Sequence, residues 1–334
     1  DTIYGGTGTD QMFGGTGNDT FVIQNGWDGG AGEAINGGAD SDSLDLTSLS
    51  SAVIVDLSAG TFKGGGGANS ISLVSVENVF GTNQADSLVG SNDANTLKGA
   101  GGADTINGGS GDDLLYGGDG DDTINDGAGG DGTNGEGGND RIVMGDASIN
   151  GDTYYGGPGT DTFDASAFTW ATAVSIDLTA KTWSYSAGSE VVDEFENIEG
   201  ANAQPGIVET LRGNELTNVI NGNGGDDVIF GMNGDDVLGG GTGADQINGG
   251  SGVDTASYAA SAAGVVVDLF AGTASGGDAQ GDTLASIENV TGSGADDTLT
   301  GNGGSNVLTG GLGADTLVYA DNFTGSTNAD TFNG

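Results

Sequence analysis

Gly108-Gly109-Ser110-Gly111-Asp112-Asp113-Leu114-Leu115-Tyr116 and Gly117-Gly118-Asp119-Gly120-Asp121-Asp122-Thr123-Ile124-Asn125 stand end to end, two copies of one nine-residue pattern. Stepping outward by nine in both directions from these copies meets Asp86, Asn95, Asp104, Asp131 and Asp140 without a slip. An aliphatic residue follows two positions later at Leu88, Leu97, Ile106, Leu115, Ile124 and Ile142, and Thr133 is the one exception.

That spacing dictates a shape. Nine residues are too few for two helices and a turn, but they suit a six-residue glycine-rich turn and a three-residue strand whose central side chain points inward. Two such units make one coil. A single coil cannot bury its own apolar face, so stability must come from stacking many of them. The expected product is an all-β rod, on the order of 90 Å long at about 18 residues per coil and roughly 4.8 Å between stacked strands.

The same step recurs along the chain in blocks 1–45, 81–164, 204–257 and 292–334. The first carries Asp1, Asp10 and Asp19, loses register from Val22 to Ala34 in what reads as a bulging loop around Trp27, and resumes at Asp42 and Leu44. The second extends to Asp152 and Asp161 after a slip of three between Met144 and Asn150. The third steps through Glu209, Asn218, Asp227, Asp236, Asp245 and Asp254; the fourth through Asp297, Asn306 and Asp315, then Asp330.

Three longer segments, 46–80, 165–203 and 258–291, interrupt these blocks and resemble one another. Val53-Ile54-Val55-Asp56-Leu57, Val174-Ser175-Ile176-Asp177-Leu178 and Val265-Val266-Val267-Asp268-Leu269 alternate as half-buried strands do. Each is followed by a Glu-Asn pair, Glu77-Asn78, Glu196-Asn197 or Glu288-Asn289. Apolar residues three apart around those pairs (Leu73, Val76 and Val79 in the first) read as a bent or bulged strand. Past each pair an Asn replaces the sixth-position Asp, at Asn95, Asn218 and Asn306. The segments read as larger coils of the same stack, with the Asn capping a bend or stacking in a ladder and the Glu facing solvent.

Composition bounds the chemistry. Forty-nine acidic residues oppose five basic ones, Lys63, Lys98, Arg141, Lys181 and Arg212, for a formal charge of -44 over 334 residues. Such a chain resists compaction without counter-charge, and nucleic acid is excluded as a partner. With no cysteine and no histidine, disulfides, thiolates, imidazole bases and the usual zinc ligands are absent, and only oxygen ligands remain. No apolar run approaches the roughly 18 residues that cross a membrane. The chain opens mid-repeat at Asp1 and reads as a fragment of something longer, so the lack of a signal peptide carries no message. Trp27, Trp170 and Trp183 lie in or near interruptions and read as plugs of the apolar strip more than as sugar contacts.

Glycine at turn positions one, two and four permits φ > 0 and leaves carbonyls unshielded, so several oxygens can converge while the sixth-position carboxylate adds charge. Six or so oxygens of this kind suit calcium, whereas magnesium demands a tighter octahedron. No EF-hand loop or P-loop is present, and paired acids such as Asp112-Asp113 and Asp226-Asp227 have no opposing cleft, so catalysis within these residues is not expected.

The G-G-x-G-x-D-x-U-x copies resemble the RTX (repeats-in-toxin) family of calcium-binding repeats. The resemblance implies a right-handed parallel β-roll or β-helix, here one continuous region with three larger interrupting coils. It also implies several Ca2+ ions between turns of adjacent coils, held by the Asp and by glycine-turn carbonyls. Carried over by position, the ligating aspartates are Asp10, Asp19, Asp113, Asp122, Asp161, Asp245, Asp254 and Asp315 at complete turns, with fourth-position glycines Gly8, Gly17, Gly111, Gly120, Gly159, Gly243, Gly252 and Gly313. Asp104, Asp227 and Asp236 keep the fourth-position Gly but lack one early Gly; Glu209 and the Asn positions depart from the pattern.

The expected behaviour is folding coupled to calcium, unfolded inside a cell and folded outside it, as befits type I secretion. Two functions follow. One is a structural segment of an extracellular surface-layer, adhesin or matrix protein, with like chains or cell-surface polysaccharide as possible partners. The other is the non-catalytic secretion and folding module of a secreted protease, lipase, alginate epimerase or toxin. The long array without a globular segment favours the first.

Overall fold

The computed structural model describes residues 1–27, 32–64, 70–145, 151–168, 172–185, 188–204, 207–318 and 331–333. Asn150, Trp170, Asp330 and most of the slip after Met144 therefore lie outside the described residues. The chain divides into two compact units, Asp1–Phe163 and Asp164–Gly334, each a parallel β-solenoid of the expected class.

In the first unit the strands Ser87–Val89, Thr105–Asn107, Thr123–Asn125 and Arg141–Val143 pair in parallel, each with the strand 18 residues on. The opposite sheet stacks Asn78–Phe80, Thr96–Gly101, Leu114–Asp119, Gly132–Gly137 and Thr153–Tyr155, also in parallel, with the last step 21 residues. Register aligns Leu88, Ile106, Ile124 and Ile142 in one buried column and Val79, Leu97, Leu115, Thr133 and Tyr154 in the other. Each buried aliphatic contributes about 1.5–3 kcal/mol. The second unit repeats the arrangement, with Leu211, Ile229 and Ile247 facing Ile220, Leu238 and Ala256.

The turns are drawn tight. Gly118 and Gly120 hold φ of 117° and 137°, and a Cβ on Gly118 would collide with the Ala100 carbonyl of the preceding coil. Where the second glycine is missing, Ala100, Glu136, Asn223 and Met232 take φ of 81°, 69°, 66° and 87°, so the same turn forms at the cost of local strain.

The larger segments differ from the expectation. Each contains an antiparallel three-stranded meander: Val53–Asp56, Thr61–Gly64 and Ile71–Val74 in the first. The second runs through Val174–Asp177, Thr182–Tyr185 and Gly188–Asp193; the third through Val266–Asp268, Thr273–Ser275 and Thr283–Ala285. In the first, Ile71–Val74 pairs with the earlier strand Ala34–Ala39 and Val53–Asp56 with the later strand Ser87–Val89, so chain order is inverted. The third is built identically, against Gln246–Ser251 and Thr298–Thr300. Phe62 and Trp183 fill the middle strands, fully buried.

No bulged strand exists at the three-residue spacing. Leu73 lies in one strand, Val76 sits at a corner and Val79 lies in a strand of the opposite sheet. The corner is made by Ser75, Glu194 and Ser286 in left-handed conformations, φ 48°, 63° and 51°. Trp27 is buried in the core: it stacks on Phe62 with centroids 5.0 Å apart and donates from Nε1 to Glu33 Oε1 at 2.5 Å.

Candidate metal centres in the glycine turns

The sixth-position aspartates form a ladder. The backbone N–H groups of Asp86, Asp104, Asp113 and Asp122 donate to Oδ1 of Asp104, Asp122, Asp131 and Asp140 at 2.6, 2.7, 2.7 and 2.9 Å, each acceptor 18 residues on. Asp227 to Asp245 and Asp236 to Asp254 continue the pattern in the second unit at 2.8 and 2.9 Å. Fifth-position residues make a second ladder of opposite sense. Gly130 and Asn139 donate backward to Asp112 and Asp121 at 2.9 and 2.8 Å, which turns the fifth acid away from the ladder of the sixth.

At Asp104, Asp122, Asp245 and Asp254 one carboxylate oxygen is committed to the ladder and the other is not. Oδ2 of Asp10, Asp19, Asp104, Asp113, Asp122, Asp227, Asp236, Asp245 and Asp254 is buried with no hydrogen-bond partner. Each such oxygen faces the first glycine of its own turn. A Cβ on Gly117 would overlap Asp122 Oδ2 and come within 2.6 Å of the Gly135 carbonyl oxygen, and Gly231 stands in the same relation to Asp236 Oδ2 and the Gly249 carbonyl. A buried carboxylate oxygen and a neighbouring-coil carbonyl therefore converge on space that only glycine leaves open. An all-oxygen set with a formal charge is a fit for calcium.

Burial chiefly, reinforced by the neighbouring carboxylates and opposed by the backbone donors, pushes the Asp104, Asp113 and Asp122 carboxyls up to about 7. Asp227 and Asp245 rise to about 8, Asp140 and Asp236 to about 6, with burial again the largest cause. Like charges stacked in a dry turn are costly until a proton or a cation neutralises them.

A different solution operates after the meanders. Asp86 Oδ2 accepts the Thr82 N–H at 2.6 Å and Asp297 Oδ2 the Ser293 N–H at 2.6 Å. Asn95, Asn218 and Asn306 accept from the backbone of Ser91, Asn214 and Asn302 at 2.6, 2.8 and 2.7 Å. Their amide groups donate to the carbonyls of Glu77, Glu196 and Glu288 at 2.8, 2.6 and 2.7 Å, a contact aspartate cannot make. Glu77 and Glu288 do not simply face solvent, because their carboxylates receive the N–H of Asp42 and Asp254 at 2.8 and 2.9 Å in the manner of a sixth-position Asp.

Asp161 is buried and accepts the Asp140 N–H at 2.7 Å; Asp315 is half-buried and accepts from Asp297 at 3.0 Å. Gly8, Gly17, Gly111, Gly120, Gly243, Gly252 and Gly313 take positive φ. Gly159 does not, and is required instead by its approach to the Gly138 carbonyl. Sequence reasoning passed over Asp42 and Asp140, whose buried Oδ2 atoms lack partners in the same way. It also passed over Asp126, Asp131 and Asp152, whose carboxylate oxygens lie within 4.8 Å of one another, all buried. The readable signal was Asp126 itself, an acid at the first position of a turn where glycine is the rule.

A family model described as the RTX calcium-binding nonapeptide repeat (four copies) matches residues 1–21, 80–115, 108–142, 212–247, 221–256 and 282–317. Over these stretches the chain is made of RTX repeats. Among curated proteins, none matches it. The RTX stretches leave out 22–79 and 143–211, which hold the first two meanders, and 257–281, which holds two strands of the third. Among the described residues no helix is long and apolar enough to cross a membrane.

Proposed function

We propose that this is a secreted calcium-binding region that orders on calcium and serves as a structural segment of an extracellular surface-layer, adhesin or matrix protein. Calcium is assigned to the turns of Asp10, Asp19, Asp104, Asp113, Asp122, Asp161, Asp227, Asp236, Asp245, Asp254 and Asp315, with Asp42 and Asp140 added. The observation that carries the reading is the row of buried Oδ2 atoms without protein partners at Asp104, Asp113, Asp122, Asp236, Asp245 and Asp254. Five basic side chains against 49 acids cannot supply the missing positive charge. Bound calcium would neutralise the stacked carboxylates, while the chain's own part is to hold Oδ1 on the ladder and leave Oδ2 and the glycine carbonyls turned to one space.

Modules that bind calcium in the range of about 0.1–1 mM fill outside a cell and stay empty inside it. A long array of stacked coils suits a spacer or lattice element. A calcium titration followed by circular dichroism and negative-stain imaging tests both parts. The expected result is a gain of β signal that magnesium does not reproduce, with filaments or sheets in calcium. Equal response to magnesium, or none to calcium, refutes the metal assignment; dispersed particles at saturating calcium refute the lattice role.

A further inference from the structure

We infer that the first and third meanders, each with the coil that follows it, form calcium-independent islands within a calcium-dependent array. The contrast with the neighbouring turns rests on the calcium reading above.

The sequence register places Asp86, Asn95, Asp297 and Asn306 in the same sixth position as the metal candidates, and the family match covers all four. Their surroundings are nevertheless closed. Asp86 receives the Thr82 N–H at Oδ2 (2.6 Å), the Thr82 hydroxyl at Oδ1 (3.1 Å) and the Val53 N–H at Oδ1 (2.8 Å). Asp297 is held identically by Ser293 N–H (2.6 Å), Ser293 hydroxyl (2.8 Å) and Val265 N–H (2.7 Å). Both oxygens of each carboxylate are thus satisfied by protein donors, and neither is left for a cation. Asn95 and Asn306 carry no charge and have their amide groups engaged on both sides.

The cause lies at the second turn position. Thr82, Ser91, Ser293 and Asn302 replace the left-handed glycine and none of them has positive φ. In that conformation the second-position N–H points at the sixth-position side chain, doing what a cation would otherwise do. Where the acceptor is the Asp86 or Asp297 carboxylate, such hydrogen bonds are stronger than those between neutral groups.

The islands also hold large buried side chains. In the first, Val55, Phe62, Leu73, Val79, Leu88 and Leu97 are all within the core. One coil further on, Asp104 Oδ2 has no partner, so the boundary falls between Asn95 and Asp104. Because a solenoid gains stability from nearest neighbours, such islands offer ready edges onto which the glycine-turn coils can stack when calcium arrives.

Hydrogen exchange with mass spectrometry on the whole chain, in excess chelator and in calcium, decides the matter. The expectation in chelator is that amides of 71–98 and 283–309 exchange at least tenfold more slowly than those of 104–143 and 227–256, with the difference removed by calcium. Equal, fast exchange everywhere in chelator, followed by protection in calcium, overturns the islands and leaves the calcium reading intact. Slow exchange everywhere in chelator overturns both. Thr82→Gly supplies the control: restoring the glycine whose left-handed turn would carry the second-position N–H away from Asp86 Oδ2 should abolish the chelator-stable protection of 71–98 while calcium still protects 104–143. Unchanged protection in that variant would refute the inferred cause.

Discussion

Asp104 and Asp122 meet across adjacent coils through a single backbone donor: the Asp104 N–H reaches Asp122 Oδ1 at 2.7 Å, and Asp122 Oδ2 is left buried without a protein partner. The two oxygens of one carboxylate thereby do different work, one fixing coil to coil and the other supplying charge to the turn.

Asp122→Asn keeps the ladder acceptor and removes the charge. Calcium affinity is tuned by the number of charged ligands, so the calcium midpoint of folding should rise by about tenfold. Asp86→Asn instead disrupts a satisfied carboxylate and should lower stability by about 1–3 kcal/mol with or without calcium. Calcium titrations and thermal melts of the two variants side by side separate these outcomes.

Glycine positions should differ sharply in tolerance. Gly118→Ala places a Cβ on the Ala100 carbonyl at φ 117° and should cost about 1–3 kcal/mol or more at saturating calcium. Gly101→Ala, where φ is not left-handed and the nearest atoms lie 3.6 Å away, should be close to neutral. Comparable melting temperatures for the two would contradict the close coil approach.

Acidification should order the metal-free protein. The carboxyls of Asp104, Asp113 and Asp122 stand at about 7 and those of Asp227 and Asp245 at about 8, above the ordinary 3.8. A folded-state value above the unfolded one means the folded chain binds more protons, so these groups stabilise fully below about 4 and lose that contribution as pH rises through 7 to 8. Circular dichroism without calcium should therefore gain β signal from pH 8 to pH 5, and protons should compete with calcium over the same interval. A loss of structure on acidification would run against the sign.

Phe62→Ala empties the middle strand of the first meander beside Trp27 and should cost about 3–5 kcal/mol, the range for an aromatic removed from a core. The loss should be seen in the calcium-loaded protein by thermal melting and, in chelator, as faster exchange of 71–98.

Much of this was legible in the residues. A step of nine with one inward aliphatic leaves a stacked parallel coil as the economical solution, and the strands at Leu88, Ile106, Ile124 and Ile142 fall where that step puts them. The meanders were not legible, because Val53–Asp56 reads as an ordinary strand, Leu73 as part of a bulged one, and nothing local states which neighbour each will choose. Nor was the split between open and satisfied turns. It depends on the backbone direction at Thr82 or Ser293, and the side-chain alphabet reports that only as a missing glycine.

The inverted order of the first meander also decides which of its strands must wait for a partner as the chain emerges. Val53–Asp56 finds its parallel neighbour in Ser87–Val89, more than 30 positions later. A chain emerging amino end first must hold that strand waiting until Val89 is out. One emerging carboxy end first pairs that strand at once but must hold Ile71–Val74 until Ala34–Ala39 is out, so in either direction one strand of the meander waits for a distant partner.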